Sequence, residues 1–282
     1  MIETVTQLKR LRALVRSWKK AGLKVALVPT MGNLHEGHFT LVRQARRHAD
    51  KVVASVFVNP TQFGPNEDYD RYPRTPEADA AGLEAAGCDV AWMPSVEEMY
   101  PLGLERTTTV SVNGPVAEVL EGERRPGHFD GVCTVVSRLF NQVTPEAALF
   151  GKKDYQQLAV IRQLVAELQF PLEIVGVDIV REDDGLARSS RNQYLGEQER
   201  ETAPQLYRVL REMRAACAAG LPRELVEQSA AAALTDAGFN VDYAVVRNRD
   251  LSAPSDAVLI GGSVALLAAR IGTTRLIDNL EF

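Results

Sequence analysis

The sequence has few cysteines and no long apolar run. Cys88, Cys133 and Cys217 stand single and far apart in 282 residues, which argues against a disulfide framework and fits a reducing compartment. No apolar stretch approaches the roughly 20 residues that a membrane-spanning helix needs, and the N-terminal residues carry no signal-peptide pattern. We therefore expect a cytoplasmic protein with no membrane partner.

An excess of positive charge is also lacking. The formal net charge is −5 and the isoelectric point is about 5.5, so we expect no nucleic-acid partner. An anionic substrate would need a local cluster of basic residues that works against the overall charge. The hydrophobic fraction of 45% and the charged fraction of 24% are typical of a globular protein with one large or two smaller domains.

Three common site motifs are missing. The sequence contains neither GxxxxGK[ST] nor GxGxxG, so a nucleotide would have to be held by other means. It also lacks HExxH, and the scattered cysteines offer no obvious partners for a zinc site, which needs three or four ligands.

The most informative stretch runs from residue 24 to 48. Residues 25–28 (VALV) predict a buried strand, which Pro29 and Gly32 are expected to end, and the apolar spacing after Gly37 predicts an amphipathic helix. His35 and His38 fall at the turn between them. In a parallel sheet this turn lies at the carboxyl edge, where ligands bind, and a helix N-terminus there suits phosphate.

Two histidines three residues apart have three interpretations. They can be capping or half-buried histidines without a ligand, they can be half of a metal site, or their N–H groups can donate to triphosphate oxygens. The strand–turn–helix context and the glycine between them, which allows a close approach of backbone and ligand, favour the third interpretation.

Apolar periodicity organises the rest of the chain into two parts. A helix over 5–20 and strands over 51–58, 89–93, 107–112, 147–150 and 172–180 alternate with helices over 76–86, 132–143 and 158–168, which predicts an α/β domain with a parallel sheet. Beyond about residue 178 we expect a small α+β domain. Its predicted elements are helices over 197–219 and 224–237, strands over 241–246, 257–260 and 264–271, and a hairpin turn at 261–262.

Four segments are expected to meet at one sheet edge: the His-x-Gly-His turn, residues 59–62, residues 151–157 and residues 188–192. Their cationic or donating side chains suit a triphosphate and the charge that develops during attack on its α-phosphorus. The amides Gln62 and Gln157 suit a small hydroxy acid. The donating set comprises His35, His38, Lys153, Ser189, Ser190 and Arg191.

The sequence resembles the pantoate–β-alanine ligases, a family of HIGH-type nucleotidyl transferases. The resemblance covers about residues 25–192 and a short motif near the end. The matching stretches are PTMG with HEGH (29–32, 35–38), FVNPTQF (57–63), YPRT (72–75), RPGHFDGV (125–132), FG with KDYQQ (150–151, 153–157), DGLA with SSRN (184–187, 189–192) and LIDN (276–279).

The resemblance implies a Rossmann-like N-terminal domain (1–177), a smaller C-terminal α+β lid (178–282), a homodimer, and a need for ATP and Mg²⁺. It further implies two steps. The carboxylate of (R)-pantoate attacks the α-phosphate of ATP to give pantoyl adenylate and pyrophosphate, and the amine of β-alanine then displaces AMP to give pantothenate. A closed lid would exclude water from the labile adenylate.

The resemblance also assigns residues. His38 is expected to be the proton donor, with His35, Lys153 and Arg191 as further catalytic residues. Gln62 would contact pantoate and β-alanine, Gln157 pantoate, and Asn59 and Thr30 are further candidates for substrate binding, with Asp79 as a candidate metal ligand. The expected ATP site comprises Met31, Gly32, Asn33, Leu34, His35, Glu36, Gly37, His38, Gly151, Lys152, Lys153, Asp154, Val180, Arg188, Ser189, Ser190 and Arg191.

Several points stay open at this stage. Arg188 and Lys152 depart from the usual family residues, and Arg188 either adds a phosphate contact or points outward. The charged segment 121–131, with Arg124, Arg125 and His128, either meets an anion or is an exposed loop. The rival functions are another HIGH-type nucleotidylyltransferase acting on a small anionic acceptor, and a nucleotide-sensing protein without catalysis.

Overall fold

A computed structural model describes residues 2–65, 67–254 and 261–282. The chain forms two compact units, Met1–Lys152 with Gln157–Asp178, and Lys153–Gln156 with Ile179–Phe282. The domain division at residue 178 stays a prediction, and the compact units differ from it by assigning Lys153–Gln156 to the second unit.

The elements are as follows. The strands are β1 Glu3–Val5, β2 Val25–Thr30, β3 Lys51–Val56, β4 Val90–Trp92, β5 Ala147–Gly151, β6 Glu173–Val177, β7 Asn240–Asn248, β8 Ser263–Ile271 and β9 Thr274–Glu281. The α-helices are α1 Leu8–Lys20, α2 Glu36–Ala45, α3 Pro76–Ala85, α4 Val96–Met99, α5 Pro115–Glu118, α6 Glu121–Arg124, α7 His128–Val143, α8 Tyr155–Glu167, α9 Glu197–Thr202, α10 Gln205–Ala218 and α11 Arg223–Asp236. Within the described ranges, no helix combines the length and apolarity needed to cross a membrane.

The first unit is built on a parallel sheet with the order β1-β4-β3-β2-β5-β6. Residues of β2 alternate between its two faces. Val25 and Leu27 join an apolar cluster with residues of α1, α7 and α8, whereas Ala26 and Val28 join one with α2 and α3. Because helices cover both faces of the sheet, the strands are continuous apolar runs in the sequence. The predicted α/β class is therefore confirmed.

Strand β2 lies at the point where the strand order reverses. It pairs in parallel with β3 on one side and with β5 on the other. The chain passes from β2 to β3 and β4 on one side and then returns to β5 on the other side of β2. In open α/β sheets the crevice at such a switch point binds ligands.

The structure corrects three expectations for this unit. Pro29 does not end the strand, and β2 continues to Thr30. Proline has no N–H to donate, but pairing with β5 already stops at Leu27, so no hydrogen bond to that strand is lost at Pro29. Residues 107–112 form no strand; they run as irregular backbone, and the N–H of Val110 donates to Thr134 Oγ1 of α7 at 2.9 Å. The short edge strand β1, parallel to β4, was missed because only three residues pair.

The second unit packs α10 and α11 against the antiparallel sheet β7-β8-β9. Two expectations were wrong here: the helix predicted over 197–219 is divided into α9 and α10 beside Pro204, and β9 was not predicted as a strand. In β9 the neighbouring Asp278 and Asn279 are both buried, which breaks the apolar alternation. The strand predicted over 257–260 lies outside the described residues.

Candidate active site

The histidine turn (residues 31–38) connects β2 to α2 and is anchored by a buried carboxylate. Gly32 and Asn33 have φ angles of 88° and 50°, a left-handed conformation that glycine and asparagine tolerate best. The carboxylate of Asp79 in α3 accepts the N–H groups of Asn33 at 3.0 Å and Leu34 at 2.8 Å. A distant helix therefore fixes the backbone just ahead of the two histidines.

The bonds of the two imidazoles define their tautomers. His35 Nδ1 accepts the N–H of Gly37 at 3.1 Å, and His38 Nδ1 accepts the N–H of His35 at 3.3 Å. The ring centroids lie 4.1 Å apart. A ring nitrogen that accepts from a backbone N–H carries no proton, so both rings are neutral and each carries its N–H at Nε2. The histidine turn thus holds two oriented N–H donors.

Gly37 is required by the His35 ring. A Cβ at position 37 would lie 2.8 Å from His35 Cε1 and 3.0 Å from Nδ1, closer than non-bonded carbon atoms come. The side chain of Glu36, in contrast, pairs with Arg43 further along α2. The glycine in His-x-Gly-His therefore makes room for a ring that caps the helix.

The contacts of Asp79 argue for a structural role. Its side chain is buried, and besides the two N–H groups it accepts the hydroxyl of Thr75 at 3.0 Å. Within the described part of the chain, no group of three or more His, Cys, Asp or Glu side chains could hold a metal ion. Asp79 as a metal ligand stays a prediction, and these contacts count against it.

The amide turn (residues 59–62) follows β3 and is organised by the side chain of Asn59. Its Oδ1 accepts the hydroxyl of Tyr100 at 2.6 Å and that of Thr61 at 3.0 Å. Its Nδ2 donates to Gln62 Oε1 at 3.0 Å and to the carbonyl of Gly131 at 3.2 Å. Asn59 is buried and its amide shapes the turn. Asn59 as a substrate ligand stays a prediction.

Gln62 and Met31 meet at the ends of neighbouring strands. Gln62 Nε2 lies 3.2 Å from the sulfur of Met31, which brings the amide turn against the histidine turn as the sequence predicts. Thr30, also a predicted substrate contact, donates its hydroxyl to the carbonyl of Ser55 at 2.6 Å. Thr30 therefore ties β2 to β3 at this edge.

Residues 121–131 do not form an exposed loop. His128 begins α7, is buried, and its Nδ1 lies 2.8 Å from the carbonyl of Gln62, while Arg125 lies 3.0 Å from its Nε2. Since a carbonyl only accepts, Nδ1 carries the proton. Burial and the positive charge of Arg125 lower the pKa of His128 to about 4, with the bond to Gln62 opposing the shift.

Arg125 also belongs to this network. It makes a two-bond ion pair with Glu67, at 2.6 and 2.7 Å. Burial alone would raise the pKa of Glu67, but the bonds from Arg125 hold that pKa below its usual value. The charged residues that the sequence left open, Arg125 and His128, thus support the amide turn, whereas Arg124 is exposed.

At the end of β5, Gly151 leads into Lys152 and the start of α8. The ammonium of Lys152 pairs with Asp178 at 2.8 Å, so this lysine has a carboxylate partner in its own unit. Gln157 lies in the first turns of α8, half-buried. These positions follow β5, the neighbour of β2 across the switch point.

In the second unit, the motif near the chain end organises two predicted site segments. Asn279 Nδ2 donates to the carbonyl of Lys153 at 2.9 Å. Asp278 makes a two-bond ion pair with Arg181, at 2.6 and 2.9 Å, and the guanidinium of Arg181 also stacks on the ring of Tyr207. Strand β9 thus holds the backbone of Lys153 and the chain ahead of the Ser-Ser-Arg segment, while Asp154 is exposed.

The Ser-Ser-Arg segment starts from a short hairpin. The N–H of Arg188 donates to the carbonyl of Val180 at 2.9 Å, and its guanidinium pairs with Glu182 at 2.8 Å. Ser189 Oγ then accepts the N–H of Arg191 at 3.3 Å and caps the short helix Ser190–Tyr194. Arg188 therefore has an acidic partner in its own hairpin, which accounts for an arginine at this position.

Three supporting residues were missed by the sequence analysis. Tyr100, Thr61 and Gly131 shape the amide turn. Gly131 matters because a Cβ there would lie 2.2 Å from the carbonyl oxygen of Thr61. Tyr100 and Gly131 lie 41 and 72 residues from Asn59, so no local pattern could connect them with it.

Comparison with known proteins decides the family. The model of the pantoate-beta-alanine ligase family matches residues 3–281. The chain belongs to this family. It is therefore an enzyme, a ligase that condenses pantoate with β-alanine.

Individual relatives of this ligase agree over the whole length. The chain is 66% identical to the pantothenate synthetase of Xanthomonas euvesicatoria pv. vesicatoria (strain 85-10), over all of both chains. A crystal structure of pantothenate synthetase from Thermus thermophilus is 48% identical, with a TM-score of 0.91 over 99% of each chain. The pantoate-beta-alanine ligase from Francisella tularensis, complexed with beta-gamma ATP and beta-alanine, is 32% identical, with a TM-score of 0.84 over 100% of this chain and 98% of that one.

Proposed function

We propose that this ligase uses ATP and proceeds through pantoyl adenylate. The observation that carries the proposal is the pair of Nε2–H donors held on the histidine turn at the switch point of the sheet. Support comes also from the Francisella relative, whose structure contains beta-gamma ATP and beta-alanine. A carboxylate is a poor acyl donor, and adenylation supplies it with a good leaving group.

In the first step, a carboxylate oxygen of pantoate forms a bond to the α-phosphorus of ATP while the bond to the β-phosphate oxygen breaks. Negative charge builds up on the phosphate oxygens and on the departing pyrophosphate. We propose that the Nε2–H groups of His35 and His38 donate hydrogen bonds to these oxygens, with His38 in the position that the resemblance assigns as proton donor. Neutral donors that are fixed before the reaction need no reorganisation as the charge develops.

Gln62 and Gln157 are both proposed to contact pantoate. Asn59 Nδ2 donates to Gln62 Oε1, so the Gln62 NH₂ group is the part of the amide left to meet an acceptor oxygen on an acid. The resemblance adds Lys153 and Arg191 of the second unit as phosphate ligands, and a lid role for that unit. Fixing both reactants before the attack lowers its entropic cost.

In the second step, the amine of β-alanine attacks the acyl carbon of the adenylate. The carbon–nitrogen bond forms, the bond to the AMP oxygen breaks, and the amine releases a proton to solvent. We propose that Gln62 contacts β-alanine as well, since the amine has to approach the carbon that Gln62 positions. The AMP leaves with the negative charge that the phosphate donors already stabilise.

Mg²⁺ is proposed to enter with ATP, as part of the substrate. Magnesium is usually bound through one or two carboxylates together with substrate phosphates. A metal that arrives on the triphosphate does not require Asp79, whose buried carboxylate already accepts backbone N–H groups. The homodimer and the cytoplasmic location stay predictions.

The test measures AMP and pyrophosphate formation by the purified protein with Mg·ATP, pantoate and β-alanine. We expect pantoate alone to support a single turnover of pyrophosphate release and sustained AMP formation to require β-alanine. His38→Ala is expected to lower kcat by about 100-fold or more, because the loss of one fixed donor to the developing negative charge costs on that order.

His48→Ala serves as the matched control. His48 lies just beyond α2, half-buried, and its imidazole faces Glu173; we expect it to keep the wild-type rate. Transfer of AMP to an acceptor without any need for β-alanine would favour the nucleotidylyltransferase alternative. Absence of AMP under every condition would contradict catalysis by this route.

A further inference from the structure

The amide of Asn59 has only one possible orientation. Three donors meet its Oδ1: the hydroxyls of Tyr100 and Thr61 and, at 3.4 Å, the N–H of Thr61. Its Nδ2 faces the carbonyl of Gly131. A backbone N–H can only donate and a backbone carbonyl can only accept, so exchanging the two ends of the amide would set like against like at both.

The orientation of Asn59 determines that of Gln62. Because Asn59 presents its NH₂ group, the atom of Gln62 that lies 3.0 Å away must be the oxygen. Gln62 Nε2 is then the end that lies near Met31 in the histidine turn. The Gln62 amide therefore offers a donor, which selects for an acceptor oxygen on the ligand.

Tyr100 makes the shortest of the bonds that set this orientation. Its side chain is buried, with the guanidinium of Arg138 stacked on its ring and bonded to the neighbouring carbonyl of Met99 at 3.1 Å. Burial raises the pKa of the Tyr100 phenol, so the hydroxyl keeps its proton and donates. Asn59 bridges the two side chains: it accepts the Tyr100 hydroxyl and donates to the Gln62 amide.

We propose that Tyr100 is a positioning residue for pantoate, an inference that rests on the proposed function. Through Asn59 it keeps the Gln62 amide with its NH₂ group toward the bound acid. Without the phenol, Asn59 keeps its orientation through Thr61 and Gly131 but loses its shortest bond. Asn59 and the Gln62 amide bonded to it are then held less firmly. Tyr100 acts on substrate binding without touching the substrate.

The experiment measures steady-state kinetics of Tyr100→Phe in two backgrounds, the wild type and Gln62→Met. Phenylalanine keeps the ring that stacks on Arg138, and methionine keeps the length of Gln62 without its amide. In the wild type we expect Tyr100→Phe to raise the KM for pantoate about tenfold, as the loss of one buried hydrogen bond implies, while kcat and the KM for ATP change less than about twofold.

The Gln62→Met background separates positioning from a structural role. If Tyr100 works through Gln62, Tyr100→Phe should change the pantoate KM of Gln62→Met by less than about twofold. Tyr243→Phe, which removes a tyrosine hydroxyl from β7 in the second unit, is the matched control and should leave the pantoate KM unchanged in either background.

Two results would overturn the inference. One is an equal rise of the pantoate KM in both backgrounds, which would mean that Tyr100 acts independently of Gln62. The other is a wild-type pantoate KM that Tyr100→Phe does not move. Both are distinct from failure of the proposed function, in which the wild-type enzyme itself would form no AMP from ATP and pantoate with β-alanine.

Discussion

The histidine turn and the amide turn lie at the ends of neighbouring strands but are held in different ways. In the histidine turn, both imidazoles bond to N–H groups within three residues, and one outside group, Asp79, fixes the start of the turn. The amide turn relies on Tyr100, on His128 and on the close approach of Gly131. A short stretch of chain therefore builds the first turn, whereas the folded domain builds the second.

This difference predicts which substitutions change activity alone and which change activity and stability together. Bonds within one turn form together with the helix that they cap, so damage there should affect the chemistry and leave the global fold nearly unchanged. Bonds from distant helices form only in the packed domain. Damage to the amide turn should therefore lower both substrate binding and the free energy of unfolding.

The largest effect is expected for Gly131→Ala. Its Cβ would overlap the carbonyl of Thr61, which is backbone and cannot rotate away. We expect the free energy of unfolding to fall by about 3 kcal/mol, as for overpacking in a core, although alanine favours a helix over glycine. Displacement of the turn should lower kcat/KM for pantoate by about 100-fold. Urea unfolding and steady-state kinetics measure the two effects.

Gly196→Ala is the control for Gly131→Ala. Its φ of −65° suits alanine, and the nearest atom to a new Cβ lies 3.7 Å away on Glu199. We expect this variant to match the wild type in both assays. A Gly131→Ala protein as stable and active as Gly196→Ala would remove the distinction between the two turns.

Gly37→Ala should change activity with little change in stability. The new Cβ would push the His35 ring out of its cap, and a displaced donor costs on the order of 10- to 100-fold in kcat. The better helix propensity of alanine offsets the lost cap to within about 1 kcal/mol.

The double variant His35→Ala/Gly37→Ala checks the cause. If Gly37→Ala acts by displacing the His35 ring, the double variant should be no slower than His35→Ala alone. An additional loss of kcat in the double variant, or a large drop in its thermal stability, would count against a purely local turn.

The smallest effect is a dependence of stability on pH. The pKa of His128 is about 4 in the fold, against an ordinary value of 6.5, so the unfolded chain binds this proton first as the pH falls. The free energy of unfolding should therefore decrease between pH 7 and pH 5, by about 2 kcal/mol from this group. Urea unfolding at the two pH values measures it.

His128→Gln should lose that component, because glutamine does not titrate. Other groups that titrate in the same range affect both proteins equally, so the difference between them isolates His128. Equal pH dependence in the two proteins would show that His128 is not held neutral against the carbonyl of Gln62.

Much of the first unit could be predicted from the sequence because its signals are local. The apolar runs of β2, β3 and β5 are buried on both faces and predict strands without reference to the rest of the chain. Strand β9 could not be predicted in this way, because it contains the polar residues Asp278 and Asn279. They are buried because they bind Arg181 and the backbone of Lys153. From the sequence alone, two adjacent polar residues are predicted to be exposed, because the partners that allow their burial are not known.

The sequence by itself determined the α/β class, the family, and the strand–turn–helix that carries His35 and His38. These depend on apolar periodicity and on caps that act within a few residues. Only the tertiary structure decided which way the amides of Asn59 and Gln62 face. That choice depends on Tyr100 and Gly131, which are remote in the chain, and an amide is directed only by the donors and acceptors that folding places around it.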